Sequence, residues 1–472
     1  MSNGSLPGYL ASAQPNPTSN RGPWYMNTAP SYAGIFLWIA FYQELGKVLP
    51  VGGLGAALIG LVLAAIISYL LFYKVFGLLG MKTGYPLYVV GSSTFGTKGG
   101  LLFPGIFMGL LQIGWYSVAT FFATDLVLRT FDVEPVTLFG PGSEQGFSLL
   151  FVIIAIAWGY MFALLGALGI QYVAKMSQFF PIIPLIMLII AAIGGASGVG
   201  DYKPTAENAG MLAGICLMVQ MVVGFFATAG AAGADFGINS RNEKDVKMGG
   251  ITGIGLAIIV TGALAVLAVA GANGINPDLG SVLFNDSLKV VSPKLAKVMW
   301  LLFAVGSVAP ACFCSFIIGN SLSTMIPSLP RIGLTLAGAT IGIVLAALGI
   351  AGNLKPFFGL IGASFGPICG AMVADYLLSG MKWAGPRGGI SIPGYVAWLI
   401  GFAVGICNNE MVTKLLGGEG HEILPGWHPT AVYSFIAGFV IYAILAKAGL
   451  EGKVVSMPGA GQPQPAADQP TA

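Results

Sequence analysis

Apolar stretches alternate with short polar or glycine-rich segments along most of this chain, and twelve of them are long enough to cross a membrane. A transmembrane α-helix needs about 17–25 mostly apolar residues. The pattern therefore predicts an all-α integral membrane protein with twelve spans, and an even number of spans puts both termini on one side. The predicted spans, numbered in chain order, cover 32–50, 54–78, 99–125, 146–168, 177–199, 208–233, 248–271, 295–318, 332–352, 355–379, 390–408 and 428–449.

The polar segments around these spans predict the domain organisation. Residues 1–30, rich in Pro, Ser and Asn, predict a polar cytoplasmic tail that lacks the pattern of a cleavable signal peptide. Residues 31–380 hold ten spans that we expect to form the core, and residues 390–450 hold two additional transmembrane helices. Residues 451–472, rich in Pro, Gln and Ala, predict a disordered C-terminal tail.

Composition supports a membrane protein and excludes several other classes. Of the 472 residues, 56% are hydrophobic and 8% are charged, and the mean hydropathy is +0.84. A soluble domain carries about 25% charged residues. The net charge of +3 is small and diffuse, which gives no basis for nucleic-acid binding. The five cysteines lie in or beside apolar runs and indicate packing, with no disulfide framework or metal spacing.

The distribution of basic residues predicts the orientation. Thirteen of the 21 Lys and Arg residues lie on the side of the termini and eight on the opposite side. Cytoplasmic loops carry the excess of Lys and Arg in membrane proteins. We therefore expect a multi-pass protein of the cell membrane, embedded in the lipid bilayer with both termini cytoplasmic. The oligomeric state stays open, and a monomer is compatible with the sequence.

The segment from Met221 to Asn242 fills span 6 and the following loop with small residues. Gly224, Gly230 and Gly233 are each about 1 kcal/mol poorer helix formers than alanine, and all three lie within ten residues. One interpretation is a helix that breaks at mid-membrane, as helices do at the substrate sites of secondary transporters. The other is a row of small residues that allows close helix packing. The sequence alone is compatible with both.

Three motifs in order resemble the nucleobase:cation symporter-1 family, the cytosine and purine permeases. The first is GMKTGYPLYVVGSSTFGTKGG followed by LLQIGWYSV, in spans 2 and 3. The second is GFFATAGAAGADFGINSRN, in span 6 and its loop, and the third is FFGLIGASFGPICGAMVADYLLSG, in span 10. The resemblance is collinear from about residue 33 to residue 380.

This resemblance implies a fold and a function. The fold is LeuT-like: inverted repeats at about 31–200 and 208–380, broken spans 1 and 6, and two extra helices. The function is secondary active transport of a nucleobase or a related small heterocycle such as cytosine, by alternating access coupled to H⁺ or Na⁺. The alternative is a permease for an amino acid or another small solute with the same fold. We expect no enzyme activity and no cofactor, because the chain has no nucleophile–base pair and no nucleotide-binding loop.

The residues of spans 1, 3 and 6 predict a site for a flat, polar ring. Gln112 and Trp115 are three residues apart and share one helical face, so Trp115 can stack on the ring while Gln112 bonds its edge. In the resembling permeases the matching positions do these jobs, the position of Phe226 gives a second aromatic wall, and that of Trp38 lines the pocket. For Trp115 and Phe226 the alternative is plain packing. The predicted substrate site comprises Trp38, Gln112, Trp115, Gly224, Phe225, Phe226 and Ser315.

Span 8 departs from the family pattern. Ala311 and Cys312 stand where relatives carry hydroxyls that help to hold sodium, and Phe313 and Cys314 stand where they carry asparagine and acidic groups. Sodium is a hard cation that prefers oxygen ligands. We therefore expect coupling to protons more than to sodium, with Glu44 as the first candidate for the proton site; its alternative role is an ordinary carboxylate at the water interface. The predicted coupling-ion site comprises Gly34, Trp38, Glu44 and Ser315.

Charged residues at the inner ends of spans predict gating or structural pairs. Asp235 and Arg241 follow span 6, and Asp375 lies at the end of span 10. We expect these three to pair with nearby charges and not to contact substrate. No metal site is predicted, because two histidines seven residues apart in a loop, His421 and His428, are too weak a pattern.

Overall fold

The computed structural model describes residues 6–457 apart from 141–142, 144–145, 147, 169–180, 205–208, 327 and 418–426. The described part is helical, and nine of its helical stretches are long and apolar enough to cross a membrane. The beginning of predicted span 5, His421 and most of the C-terminal tail lie outside the described residues. The nine stretches are Ile39–Thr83, Leu101–Thr130, Leu149–Leu168, Ile182–Asp201, Met211–Ala231, Glu243–Ile275, Ala296–Thr324, Leu354–Leu378 and Thr430–Lys447.

The individual helices follow the order of the predicted spans. Spans 1 to 6 contain Thr28–Phe36, Ile39–Tyr42, Val48–Ile67, Lys74–Thr83, Phe107–Thr130, Leu149–Leu168, Ile182–Gly195 and Met211–Ala231, with π-helical turns at Ser68–Tyr73 and Leu101–Ile106. Spans 7 to 12 contain Ala257–Ile275, Ala296–Gly306, Val308–Met325, Arg331–Ala347, Leu354–Leu378, Ile392–Ile406 and Thr430–Lys447, with a π-helical turn at Ile251–Leu256. A short helix at Gly8–Ala11 and a 3₁₀ turn at Thr18–Asn20 precede span 1. Further short helices lie at Leu87–Val90, Ser92–Phe95, Gly233–Gly237, Glu243–Gly250, Phe284–Val291 and Glu410–Leu415, with 3₁₀ turns at Leu45–Lys47, Ala196–Asp201, Pro277–Leu279 and Ile350–Gly352.

Span 1 is broken, as the sequence predicts. Its first helix, Thr28–Phe36, ends before Trp38, which has extended backbone angles of φ −80° and ψ 135°. Its second helix begins at Ile39. The interruption takes main-chain groups out of the helical hydrogen-bond pattern, which a bilayer tolerates where the backbone is buried in protein or lines a cavity.

Span 6 does not break at Gly224, contrary to the first interpretation of its glycines. The helix Met211–Ala231 runs continuously through Gly224 and Gly230, and the chain only kinks at Ala232. A Cβ on Gly224 would lie 2.7 Å from the main-chain oxygen of Phe358 in span 10. A Cβ on Gly230 would lie 2.8 Å from the side chain of Phe72 in span 2. These glycines therefore serve close helix packing.

Span 10 is the most enclosed long helix, because spans 6, 11 and 12 cover it. Most of its residues from Phe358 to Tyr376 are buried. Small residues make the contact: a Cβ on Gly370 would lie 2.1 Å from the oxygen of Phe435, and one on Gly438 would lie 2.5 Å from Pro367. Spans 11 and 12 thus pack on the core through span 10.

Both ends of the described chain pack on one face of the helical domain, which we call the terminal face. Leu10 and Met457 are buried together against Val89. Val455 N–H donates to the Pro386 oxygen at 2.8 Å. The contacts of this face thus include residues 454–457, which belong to the segment that the sequence analysis assigned to the C-terminal tail.

Two short helices between spans 2 and 3, Leu87–Val90 and Ser92–Phe95, lie under this cover, and we call them the linker helices. The Tyr9 hydroxyl of the N-terminal segment donates to the Thr97 oxygen at 2.7 Å. The segment predicted as a polar tail therefore holds the linker helices from outside.

Candidate substrate cavity

A cavity of about 960 Å³ lies among spans 1, 3, 6 and 8. Its deep end is lined by Trp38, Gln112, Trp115 and Phe225, and its other end reaches the terminal face at Met26, whose side chain is exposed. The lining is mostly apolar and aromatic with a few amides and hydroxyls, which is typical of small-molecule sites.

Aromatic rings form the deep wall of the cavity. The ring centroids of Trp38 and Trp115 are 5.7 Å apart at 60°, and those of Trp115 and Phe225 are 5.0 Å apart at 76°. The indole nitrogen of Trp115 donates to the Thr228 hydroxyl at 3.1 Å, which fixes the ring plane. On its far side Trp115 packs against Phe357 of span 10 at 5.0 Å. Trp115 is therefore held from span 6 and span 10 together.

Two polar atoms at this deep end are buried without a hydrogen-bond partner among the described residues. They are the indole nitrogen of Trp38 and the Oε1 atom of Gln112. Trp38 is 4% exposed and Gln112 is 7% exposed. A buried polar atom left unpaired costs about 1–3 kcal/mol, and native proteins rarely leave such atoms unpaired. Both residues line the cavity, and the two atoms are one donor and one acceptor without a protein partner.

A second aromatic pair lines the cavity nearer the terminal face. Phe236 and Phe313 lie nearly parallel, with interplanar angle 15° and centroids 6.3 Å apart. The sequence prediction missed both as lining residues, and it also missed Thr228. Thr228 could have been found, because it lies three residues after Phe225 and so shares its helical face. Nothing in the sequence pairs Phe236 with Phe313, since they come from different spans.

Three predicted substrate residues do not line the cavity. Phe226 is fully buried and stacks on Phe36, with centroids 5.5 Å apart at 28°. The Ser315 hydroxyl is buried and donates to the oxygens of Cys312 at 3.0 Å and Phe162 at 3.3 Å. Gly224 faces span 10. Phe225, the neighbour of Phe226, supplies the aromatic wall, because successive residues on a helix point about 100° apart.

The predicted coupling-ion residues do not converge. Gly34 and Trp38 line the cavity. Glu44 lies beyond the break in span 1, where it pairs with Lys47 at 2.7 Å. Ser315 is turned away with its hydroxyl engaged. In the described part these residues do not form the oxygen cage that sodium prefers.

The three predicted gating residues all lie at the terminal face, in different surroundings. Asp235 lines the cavity, and its Oδ1 accepts the Leu87 N–H at 2.9 Å. Arg241 pairs with Asp245 at 2.7 Å. Asp375 pairs with Arg387 at 2.7 Å, and both are buried. Asp235 follows the membrane-spanning part of span 6, and burial raises the pKa of its carboxyl to about 6.

A helical membrane domain with an aromatic cavity at a broken helix is the architecture of a secondary transporter. Residues 15–382 match the family described as "Permease for cytosine/purines, uracil, thiamine, allantoin". Because this match covers most of the chain, the protein belongs to that family, and it is a permease and not an enzyme. A relative from Escherichia coli (strain K12), named "Putative allantoin permease", is 24% identical over 456 residues, which cover 87% of this chain and 90% of the relative.

Solved structures support the fold. The inward-facing conformation of Mhp1 aligns with a TM-score of 0.70 at 17% identity, over 96% of this chain and 97% of that one. Another structure shows Mhp1, a nucleobase-cation-symport-1 family transporter, in a closed conformation with bromovinylhydantoin bound. It aligns with a TM-score of 0.65 at 16% identity, over 94% of this chain and 95% of that one. The outward-open state of a Na⁺-coupled sialic acid symporter aligns with a TM-score of 0.57 at 14% identity, over 96% of this chain and 95% of that one. The chain thus shares the fold of these transporters.

Proposed function

We propose that this permease carries a nucleobase or a related small heterocycle, such as cytosine, across the cell membrane. The observation that supports this most directly is the unpaired N–H of Trp38 and the unpaired oxygen of Gln112, beside the ring of Trp115. A flat ring with an N–H next to a C=O offers the complementary acceptor and donor. Cytosine, uracil, allantoin and hydantoins all carry such an edge, and these compounds recur in the names of the family and its relatives.

The alternative substrate, an amino acid, fits the cavity less well. A carboxylate in a protein site is commonly held by a basic side chain. Among the described residues that line the cavity there is no Lys or Arg, and the one charged side chain is the acidic Asp235. The cavity therefore favours a neutral, flat solute.

We infer a transport cycle of alternating access in a domain of twelve spans with two inverted repeats of five and two extra helices. With cytoplasmic termini, the cavity that reaches the terminal face corresponds to an inward-open state. In that state Arg241 and Asp375 act as structural or gating groups on the cytoplasmic side. For the coupling ion we favour the proton over sodium, because span 8 carries Ala311 and Cys312 where the resembling permeases carry hydroxyls that help to hold sodium.

Uptake into proteoliposomes tests this function. The panel comprises radiolabelled cytosine, uracil, adenine, hypoxanthine, allantoin and a hydantoin, with a labelled neutral amino acid as the comparison solute. Each is measured with an imposed proton gradient, with an imposed sodium gradient, and with neither. We expect saturable uptake of at least one heterocycle that collapses when the proton gradient is dissipated. Uptake of the amino acid alone would refute the proposal, and a several-fold rise in affinity with sodium at fixed pH would refute proton coupling.

A further inference from the structure

Asp235 stands at the junction of the cavity, span 6 and the linker helices. It is the single charged side chain among the described residues that line the cavity. Its Oδ1 accepts the N–H of Leu87, the first residue of the linker helices, at 2.9 Å. A carboxylate placed here contacts both the cavity and an element of its wall.

The groups that face Asp235 leave its charge almost uncompensated. From span 1 comes the phenol of Tyr32, whose hydroxyl donates to the Ala229 oxygen at 2.9 Å. From the linker helices comes the phenol of Tyr88. A phenol ordinarily titrates near 10, so neither carries a charge at neutral pH. The Leu87 N–H is thus the main group that offsets the negative charge.

Two basic side chains on this face are engaged elsewhere. Lys82 at the end of span 2 pairs with Glu243 at 3.2 Å. Arg21 of the N-terminal segment donates to the oxygens of Met81 at 2.6 Å and Asn16 at 2.9 Å. None of the ion pairs within the described part of the chain includes Asp235. Asp235 is half-buried, and desolvation without a counter-charge raises the pKa of its carboxyl to about 6.

The other end of the linker helices is held by Asp375, a carboxylate that, unlike Asp235, has an ion-pair partner. The hydroxyls of Ser93 and Thr94 donate to Asp375 Oδ2 at 2.6 and 2.9 Å. Asp375 is in turn neutralised by Arg387 at 2.7 Å, and Arg387 also donates to the Ser93 oxygen. The linker helices therefore have one anchor that belongs to an ion pair, at Asp375, and one anchor without an ion-pair partner among the described residues, at Asp235.

We propose that Asp235 binds the coupling proton of the transport cycle, and that its charge controls the attachment of the linker helices to span 6 at the cavity wall. The proposal rests on the proposed function, since a coupling proton presupposes transport. An ionised carboxylate holds the Leu87 N–H by a charge-assisted bond, which is about twice as strong as a neutral one. The protonated carboxyl accepts only as a neutral group, which weakens this hold and lets the linker helices move. Glu44, the site predicted from sequence, is paired with Lys47 and does not line the cavity.

Proteoliposomes carrying Asp235→Asn test the coupling. Asparagine keeps an oxygen for the Leu87 N–H but cannot ionise. The matched control is Glu243→Gln, an exposed carboxylate on the same face. We expect the wild type and the control to accumulate substrate about tenfold more for each unit of imposed pH gradient. We expect Asp235→Asn to lose this accumulation while its exchange of labelled for unlabelled substrate at equal pH persists. Accumulation by Asp235→Asn that depends on the gradient as in the wild type would overturn the proposal.

Hydrogen exchange of the substrate-free protein tests the second part of the proposal, that the charge of Asp235 controls the attachment of the linker helices, without relying on transport. Protection of residues 86–96 is followed by mass spectrometry from pH 5 to 8, corrected for the intrinsic pH dependence of exchange. We expect protection in the wild type to fall below about pH 6, and protection in Asp235→Asn to be flat. A wild-type profile that is flat, or unchanged by the substitution, would overturn the role of Asp235. If no solute of the panel is transported, the proposed function fails, and this measurement still decides whether Asp235 titrates and holds the linker helices.

Discussion

Gln112→Met removes the amide at the deep end of the cavity while it keeps the length and the apolar stem of the side chain. In the substrate-free protein Gln112 Oε1 has no partner, and the Nε2 atom makes only a 3.7 Å contact with the Met108 sulfur. Removing an unpaired buried acceptor takes away a cost of about 1–3 kcal/mol. We therefore expect the substrate-free variant to be as stable as the wild type or more stable.

Substrate binding should change in the opposite direction. If a substrate N–H bonds Oε1 in the desolvated cavity, its loss weakens binding by about 1–3 kcal/mol, or roughly 5- to 150-fold in Kd. The matched control is Gln220→Met, since Gln220 is also a buried glutamine of a membrane span. Its Oε1 accepts from the Thr430 hydroxyl at 3.1 Å and from the Ala431 N–H at 3.0 Å. We expect this control to lose thermal stability and to keep its affinity.

Two measurements on the purified proteins separate these outcomes: Kd from isothermal titration with the heterocycle that the uptake panel identifies, and thermal unfolding without substrate. Equal Kd values for Gln112→Met and the wild type would refute the assignment of the polar edge. A loss of stability in Gln112→Met as large as that in Gln220→Met would show instead that the amide has a structural partner.

Further predictions concern the aromatic wall and the face opposite the termini. Trp115→Ala should weaken uptake about tenfold, because it loses area and a ring contact worth roughly 0.5–1.5 kcal/mol; initial rates normalised to inserted protein check this. Phe225→Ala should raise the Kd for the substrate, whereas Phe226→Ala should mainly lower the free energy of unfolding, by about 3–5 kcal/mol. A higher Kd for Phe226→Ala and a loss of stability for Phe225→Ala would show instead that Phe226 lines the site. Arg129 bridges Asp125 and Asp286 at 2.9 Å each, so Arg129→Ala should cost about 3–5 kcal/mol by leaving two carboxylates unpaired, and an unchanged unfolding temperature would contradict this.

The sequence predicted those parts of the molecule that depend on local pattern. Lengths of apolar runs located the nine helical stretches of the described part that are long and apolar enough to cross a membrane, because the thickness of a bilayer sets the length they need. The three-residue spacing of Gln112 and Trp115 placed both on the cavity side of span 3, since that spacing fixes a helical face whatever surrounds it. Trp38 also lines the cavity, at the predicted break of span 1.

The sequence did not predict those parts that depend on the exact rotation or the partner of a helix. Phe225 and Phe226 are chemically alike, and only the rotation of span 6 decides which of them faces the cavity. Ser315 is a suitable ligand by type, but its hydroxyl is directed to span 4. Glu44 is a suitable proton acceptor by type, but Lys47 one turn later already pairs with it. In each case the residue type suits the predicted role, but the side chain is directed to another part of the protein.

The glycines of span 6 show why residue type alone is compatible with two interpretations, a broken helix and close helix packing. Helix propensity measures what glycine costs in an isolated helix, about 1 kcal/mol each, and three such costs suggest a break. The cost is offset when glycine lets another backbone approach, and the Phe358 oxygen of span 10 comes so near Gly224 that no side chain fits between them. The partner lies more than a hundred residues away in sequence, so the local pattern carries no sign of it. The same contact explains why Phe225, the next residue, meets the cavity: span 6 is rotated to put Gly224 against span 10, which turns the following side chain towards Trp115. One close approach between two helices thus fixes both the continuity of span 6 and the aromatic wall of the site.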